Sequence, residues 1–304
     1  MKKKIVIAGA NGFLGRSLIK ELEEDYEVIG LIRGESRVEG KVRYLQWNGK
    51  HPGDWQNAID GAFAVINLAG RSVNCVHSED NKKRIQSSRI DTTNAIGQAI
   101  DLCDEKPNCW INASGADYYA YSEERAMTEH DPAGTHFLSH VCQQWEGAFF
   151  DFSYDSVRQV ALRTTTVLGN SGGAFVPLKR LTLFGLGGTQ GNGRQMFSWI
   201  HIDDFLKAVR FILTEESVEG PVNMAAPEPV TNKELMRTFR KVFHRKMGIP
   251  APAWLLEIGA VFLRTETELI LKSRNVVPGK LLDAGFEFQF PDIRKAVQHL
   301  KTQL

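Results

Sequence analysis

Residues 5–8 (IVIA) form an unbroken apolar run, the pattern of a central parallel strand covered on both faces. Just beyond it Leu14, Leu18 and Leu22 recur every four residues with Ile19 between them, which marks one face of a helix. Further strands are predicted over 27–33 (EVIGLIR), 42–47 (VRYLQW), 62–67 (AFAVIN), 110–113 and 157–167. Between them, Ser78 can cap a long helix through Ile85, Ile96 and Ile100, and a second helix is predicted over 137–150. Strands alternating with helices predict an α/β protein with a Rossmann-type doubly wound parallel sheet. No internal repeat or low-complexity tract interrupts it.

After Gly169 the pattern loosens. Residues 185–193 (GLGGTQGNG) are a glycine-rich loop, followed by 197–204 (FSWIHIDD) and a helix that Asp203 could cap. Thr231 and Glu234 have capping-box spacing ahead of Leu235, Phe239 and Phe243. Phe286, Phe288 and Phe290 alternate with polar residues, and Pro291 and Asp292 open a terminal helix. The expected organisation is a dinucleotide-binding unit over 1–168, with returning segments at about 196–226. Segments 169–195 and 227–304 would form a smaller C-terminal substrate lobe over the carboxyl edge of the sheet.

Composition narrows the classes. The chain has 304 residues, 42% of them hydrophobic, enough for a sizeable core. Its 37 basic and 36 acidic side chains leave a formal charge of +1, which argues against nucleic acid or a membrane surface as partner. The apolar stretch 254–263 is short and interrupted by Glu257, so it cannot span a bilayer. Three lysines precede Ile5, but the apolar segment runs straight into a glycine turn and is too short for a signal peptide. Cys75, Cys103, Cys109 and Cys142 lack zinc spacing and read as reduced thiols of a cytoplasmic protein. The sequon-like Asn112-Ala113-Ser114 falls at the end of a predicted strand and reads as accidental. No signal specifies an oligomeric state.

The turn after the first strand carries the chemistry. In Gly9-Ala10-Asn11-Gly12-Phe13-Leu14-Gly15, the first glycine permits a tight exit from the strand. The second lets a pyrophosphate approach the backbone, and the third lets helix and strand pack closely. The positive end of the new helix then faces the anion. Dinucleotide readers usually hold the ribose 2′-hydroxyl with an acid about twenty residues on. Here Ile32 and Arg33 stand at that point, with no acid after Glu27. A guanidinium suits an additional 2′-phosphate, which favours NADP(H) over NAD(H) as cofactor. The alternative is that Arg33 is an ordinary solvated residue at a strand end.

The glycine spacing, together with 67–70 (NLAG), resembles the extended and atypical short-chain dehydrogenases/reductases. Other stretches are similar to the NAD-dependent epimerase/dehydratase-like family: Ser88-Arg89, 163–169 (RTTTVLG), 187–204 (GGTQGNGRQMFSWIHIDD), 226–231 (APEPVT) and 277–291. The last of these stretches resembles part of a short C-terminal domain of unknown function seen in that family, which would span about residues 249–298. The resemblance implies that Gly9, Asn11, Gly12, Phe13, Leu14, Gly15, Ile32, Arg33, Leu68, Ala69, Gly70, Arg89 and Val167 surround an NADP(H). Most members carry Glu directly after the NLAG motif, whereas this chain has Arg71.

The superfamily transfers protons with a Tyr-x-x-x-Lys pair, in which the lysine lowers the phenol pKa. No tyrosine here has lysine four residues on, and alignment on Trp145-Glu146 puts Leu138 and Cys142 in those places. Ser114 matches the superfamily's hydroxyl residue and Tyr118-Tyr119 follow it, so Ser114 and Tyr118 are the candidate catalytic residues. Packing and hydrogen bonding are the alternative for both tyrosines. The function expected is redox or epimerase/dehydratase chemistry on a small carbonyl or sugar-like substrate. Its rival is a non-catalytic NADP(H)-binding sensor or scaffold.

Weaker signals point elsewhere. Gly169-Asn170-Ser171-Gly172-Gly173 fits a hydrolase elbow, with Asp203 and His244 as triad partners. His136 and His140 have the spacing of zinc ligands without the glutamate or a third ligand, so no metal is expected. Arg194, His201 and Asp203 could order a substrate or pin a loop.

Overall fold

The computed structural model describes residues 2–253 and 271–304; the apolar stretch 254–263 lies outside them. An eight-stranded sheet forms the centre. Its strands are β1 (Lys4–Ala8), β2 (Glu27–Ile32), β3 (Arg37–Glu39), β4 (Val42–Gln46), β5 (Ala64–Asn67), β6 (Cys109–Gly115), β7 (Arg158–Thr164) and β12 (Gly220–Met224). They run in the order β12-β7-β6-β5-β1-β2-β4-β3, parallel except for β3, which is antiparallel to β4. β1 is the hinge of this order, pairing Ile5 with Val28 of β2 on one side and with Ala64 of β5 on the other. Chain order reverses there, and ligands of open α/β sheets sit outside the carboxyl ends of the strands at that point.

The apolar run of β1 is buried because helices cover both faces. Ile5 and Ile7 join one core with Leu18, Leu22 and Phe205; Val6 and Ala8 join the other with Ile96 and Trp110. The first core is covered by α1 (Phe13–Leu22) and α5 (Ile202–Thr214), the second by α2 (Glu79–Asp101) and α3 (Phe137–Phe150). Ser78 caps α2 by accepting from Asn81 N at 3.3 Å, as its position predicts. Thr231 caps α6 (Asn232–Val242) through Glu234 N, and Asp292 caps the last helix, α8 (Ile293–Thr302), through Lys295 N. Two further α-helices are α4 (Phe175–Leu183) and α7 (Gly279–Asp283).

Two expectations are corrected. The strand predicted over 157–167 is two, because the chain leaves the main sheet at Thr165, whose N and Oγ1 both donate to Met224 O. It continues as β8 (Thr166–Gly169), which pairs with β11 (Trp199–His201) and turns back into β9 (Gly172–Gly173). A third small pairing joins β10 (Met196–Phe197) to β13 (Val230–Thr231). The cap of α5 is His201, not Asp203: its Nδ1 accepts from Asp203 N at 3.0 Å. The alternating phenylalanines form no strand. Phe286, Phe288 and Phe290 pack on the first core, and the amides of Gln289 and Phe290 donate to buried Asp204 at 2.8 and 2.9 Å.

Candidate functional site

The turn between β1 and α1 is built as its glycines require. Gly9 has φ +76°, and a Cβ there would lie 2.8 Å from Leu68 C. At Gly15 a Cβ would lie 2.3 Å from Gly9 O, so only glycine lets the helix sit this close to the strand. Gly12 N donates to Gly9 O at 2.9 Å, and Gly12 O accepts from Arg16 N. Gly12 offers no side chain to cap the helix, and no acid stands in its first turn. The leading N–H groups of α1 therefore keep their positive potential for an outside anion.

A cleft of about 680 Å³ opens beside this turn. Eight of the predicted residues line it: Gly9, Asn11, Gly12, Ile32, Arg33, Leu68, Ala69 and Gly70. The other five stand behind it. Gly15 packs on the turn, Leu14 joins the first core, and Arg89 donates to Arg71 O at 3.0 Å and Ile85 O at 2.8 Å. The Arg89 guanidinium lies 5.0 Å from the Trp145 ring, and burial lowers its pKa. Val167 is buried in the first core, and its carbonyl accepts from Ala174 N. Phe13 is surrounded by the hairpin of β8 and β9; a Cβ on Gly172 would lie 2.4 Å from Phe13 Cγ, and one on Gly169 2.7 Å from Phe13 Cζ. Those glycines are the room the ring occupies.

The floor is held by a buried amide pair. Asn67 Nδ2 donates to Asn112 Oδ1 at 2.8 Å, while Asn67 Oδ1 accepts from Ala69 N, which fixes the NLAG turn against the sheet. Arg71, the departure from the family pattern, donates from its backbone to Ser88 Oγ and from its guanidinium to Asn81 Oδ1. Sequence reasoning missed a second set of lining residues, among them Asn48, Lys50, Arg84, Asp91 and Thr92. Asn48 and Lys50 follow the carboxyl end of β4, the neighbour of β2, and strand order was the signal that could have found them.

The candidate catalytic pair lies outside this cleft. Ser114 is the penultimate residue of β6 and its Oγ donates to Glu146 Oε1 at 2.6 Å. Glu146 also takes Arg163 in fork geometry, Nε to Oε1 at 2.9 Å and Nη2 to Oε2 at 2.7 Å. Arg163 Nη1 donates to Tyr119 OH, which donates to Asn223 Oδ1. Burial works against the Arg163 charge, yet the bonds and charge of Glu146 raise its pKa. Tyr119 is pushed up to about 12 by burial, so it stays a phenol. Tyr118 lies with its ring 3.5 Å from the Arg163 guanidinium and is half-buried. Leu138 and Cys142, at the places of the superfamily's tyrosine and lysine, are both buried. Burial pushes the Cys142 thiol up to about 12, so no anionic base forms there.

The weaker signals resolve into structure. Ser171 sits in the turn of an antiparallel hairpin rather than on a strand-to-helix elbow, and no hydrogen bond joins it to Asp203 or His244 among the described residues. His136 precedes α3 and stacks on Tyr121, and His136 and His140 gain no third ligand among the described residues. Arg194 is exposed, 3.8 Å from Glu123. His201, Asp203 and His299 do converge, their ligand atoms within 4.8 Å. Because His201 Nδ1 accepts from Asp203 N, its proton sits on Nε2 and points to His299 Nδ1, 3.3 Å away. Both ring nitrogens of His201 are thus spent within the protein. Burial lowers the His201 pKa to about 3.

Comparison with known proteins bears on this geometry. Residues 5–225 match the model of the NAD-dependent epimerase/dehydratase family, and residues 251–300 match a domain of unknown function. The chain is 34% identical to epimerase family protein YfhF of Bacillus subtilis, covering 97% of each chain. It is 32% identical to epimerase family protein ML0860 of Mycobacterium leprae, over 99% of this chain and 97% of that protein. Among solved structures, human epimerase family protein SDR39U1 with NADPH superposes with a TM-score of 0.87 at 29% identity, covering 99% of this chain and 100% of that one. With its glycine turn, switch-point cleft and nearly full-length relatives, the chain belongs to the NAD-dependent epimerase/dehydratase family.

Proposed function

We propose that the cleft binds NADP(H) and that the protein is an oxidoreductase or epimerase/dehydratase-like enzyme acting on a small carbonyl or sugar-like substrate. One observation carries the cofactor reading: the turn at the switch point is open to a pyrophosphate, and the end of β2 presents Arg33 and no carboxylate. The fit is steric as well, since a side chain at Gly9 or Gly15 would collide with backbone. The human relative named above carries NADPH, which agrees with this choice. Bound NADP(H) supplies a hydride donor or acceptor. In this reading residues 169–195, 227–253 and 271–304 cover the substrate, and the four unpaired thiols suit a reducing cytoplasm.

The chain's own residues constrain the proton path. Ser114 donates its hydroxyl hydrogen bond to Glu146, so its oxygen is left to accept from a substrate hydroxyl. The Tyr118 phenol engages no protein group by hydrogen bond among the described residues and is the group able to give a proton. The second reading, an NADP(H) sensor without turnover, is favoured by Leu138 and by the neutral thiol of Cys142.

Two measurements test the proposal. Calorimetry should give tighter binding of NADPH than NADH, and Arg33→Ala should weaken NADPH by roughly ten- to a hundredfold with little change for NADH. Single-turnover oxidation of bound NADPH with a carbonyl and nucleotide-sugar panel should be slow, sharply reduced in Ser114→Ala and partly reduced in Tyr118→Phe. A cofactor that stays reduced with every compound refutes turnover and leaves the sensor reading.

A further inference from the structure

The cationic side chains of the cleft are not equivalent. Arg33, Lys50, Arg71 and Arg84 line it, against the single carboxylate of Asp91. Two of the four are occupied: Arg71 donates to Asn81 Oδ1 at 3.1 Å, and Arg84 pairs with Asp80 at 3.0 Å. Arg33 and Lys50 make no side-chain hydrogen bond or ion pair among the described residues. Arg33 directly follows β2 and Lys50 lies in the loop after β4; the two strands pair, and Trp47 N donates to Ile32 O at 2.9 Å.

The loop that carries Lys50 is held firmly. Asn48 Oδ1 accepts from Lys50 N at 2.8 Å and from His51 N at 3.1 Å, closing a turn on its own side chain. Gly49 has φ +70°, and a Cβ there would lie 3.0 Å from Thr92 Cγ2, so the loop passes close over α2. Trp47 is buried and meets Trp55 edge-on at 5.3 Å. The backbone of Lys50 is therefore set before any ligand arrives, and only its side chain has to be ordered.

We infer that Lys50 is a specificity-determining residue, a second cation that works with Arg33 to hold the 2′-phosphate of NADP(H). This rests on the NADP(H) reading above and adds to it a residue that the family resemblance does not supply. The glycine turn already offers amides to the pyrophosphate, so a further pair of unoccupied cations in the same cleft, one after β2 and one in the loop after β4, answers a second anion. A phosphate monoester near pH 7 carries close to two charges and three peripheral oxygens. It takes a planar guanidinium on one side and a compact ammonium on another.

The test is calorimetry with NADPH and NADH on the full chain, in wild type, Lys50→Gln, Lys50→Arg and Arg84→Gln. Lys50→Gln should loosen NADPH about five- to tenfold and NADH by less than about twofold, and Lys50→Arg should restore most of the loss. Arg84→Gln removes a cation already paired with Asp80, and should change the NADPH/NADH ratio by less than about twofold. A second readout is the pH titration of the bound 2′-phosphate by phosphorus NMR. Its pKa should rise in Lys50→Gln toward the free value, as loss of a bound cation requires. If the wild type prefers NADPH but Lys50→Gln leaves the ratio and the phosphate titration unchanged, the Lys50 assignment falls and the NADP(H) reading stands. An equal ratio change in Arg84→Gln also overturns it, in favour of a diffuse field. If the wild type shows no preference for NADPH, both fall.

Discussion

Glu146→Gln tests whether the buried cluster around Ser114 is a scaffold. In the wild type the carboxylate takes three charge-assisted hydrogen bonds, from Ser114 Oγ, Arg163 Nε and Arg163 Nη2, at 2.6–2.9 Å. The side chains of Arg163 and Glu146 are only 4% and 8% exposed. An amide keeps the shape but removes the charge, so Arg163 is left buried without a counterion. A guanidinium keeps its proton in a protein, so escape by deprotonation is closed. Breaking a pair of this kind costs about 3–5 kcal/mol, a fall in Tm of roughly 5–8 °C for a chain of this size. Ser114→Ala, which removes one of the three bonds, should cost only about 1–2 kcal/mol. The double variant Glu146→Leu/Arg163→Met removes both charges and should recover much of the loss, because burying neither is cheaper than burying one. Urea unfolding followed by circular dichroism measures all three. NADPH affinity of the folded Glu146→Gln variant should stay within about threefold of wild type, since the cluster lies outside the cleft. A Glu146→Gln protein within about 1 kcal/mol of wild type, or a double variant as unstable as the sum of its singles, refutes the scaffold account.

His201 gives a pH prediction whose sign follows from its burial. Unfolded, it takes a proton near 6.5; folded, only near 3. Between those values the unfolded chain holds the extra proton, so this contribution is complete above about pH 6.5 and shrinks as pH falls toward 3. Urea midpoints should show about 2 kcal/mol lost from this site between pH 6.5 and 5, a slope that His201→Asn removes; an unchanged slope counts against it. Gly172→Ala would set a methyl 2.4 Å from Phe13 Cγ and should cost about 1–3 kcal/mol, partly restored by adding Phe13→Leu. Thermal melts of the single and double variants decide this, and a Gly172→Ala protein as stable as wild type removes the steric argument.

Much of the scaffold was legible because periodicity reports burial. The run at 5–8, the Leu14–Leu18–Leu22 face and the cap at Ser78 each specify a local choice that the tertiary structure keeps. The glycine turn was legible for the same reason, since Gly9 and Gly15 are each forced by a backbone contact. The split of the strand at Thr165 was not, because its cause is a hydrogen bond to Met224, 59 residues away in the chain. The cap at His201 was hidden because histidine seldom serves there, and the aspartate two residues on is the more usual choice. Lys50 escaped because a lone lysine in a loop carries no pattern until strand order puts it in the same cleft as Arg33.

The seating of Phe13 in the hairpin at residues 169–173 has a consequence for synthesis. The first strand and its glycine turn emerge early from the ribosome, yet the ring that opens α1 finds its surroundings only after about 160 further residues. At roughly 5–20 residues per second that is a delay of about 8–30 s, during which the N-terminal turn exists without the hairpin that packs on it. A nascent chain halted before residue 169 should therefore hold its nucleotide loosely or not at all, although every glycine of the turn has been made. Competence for the nucleotide arrives late, with a segment that itself lies outside the cleft.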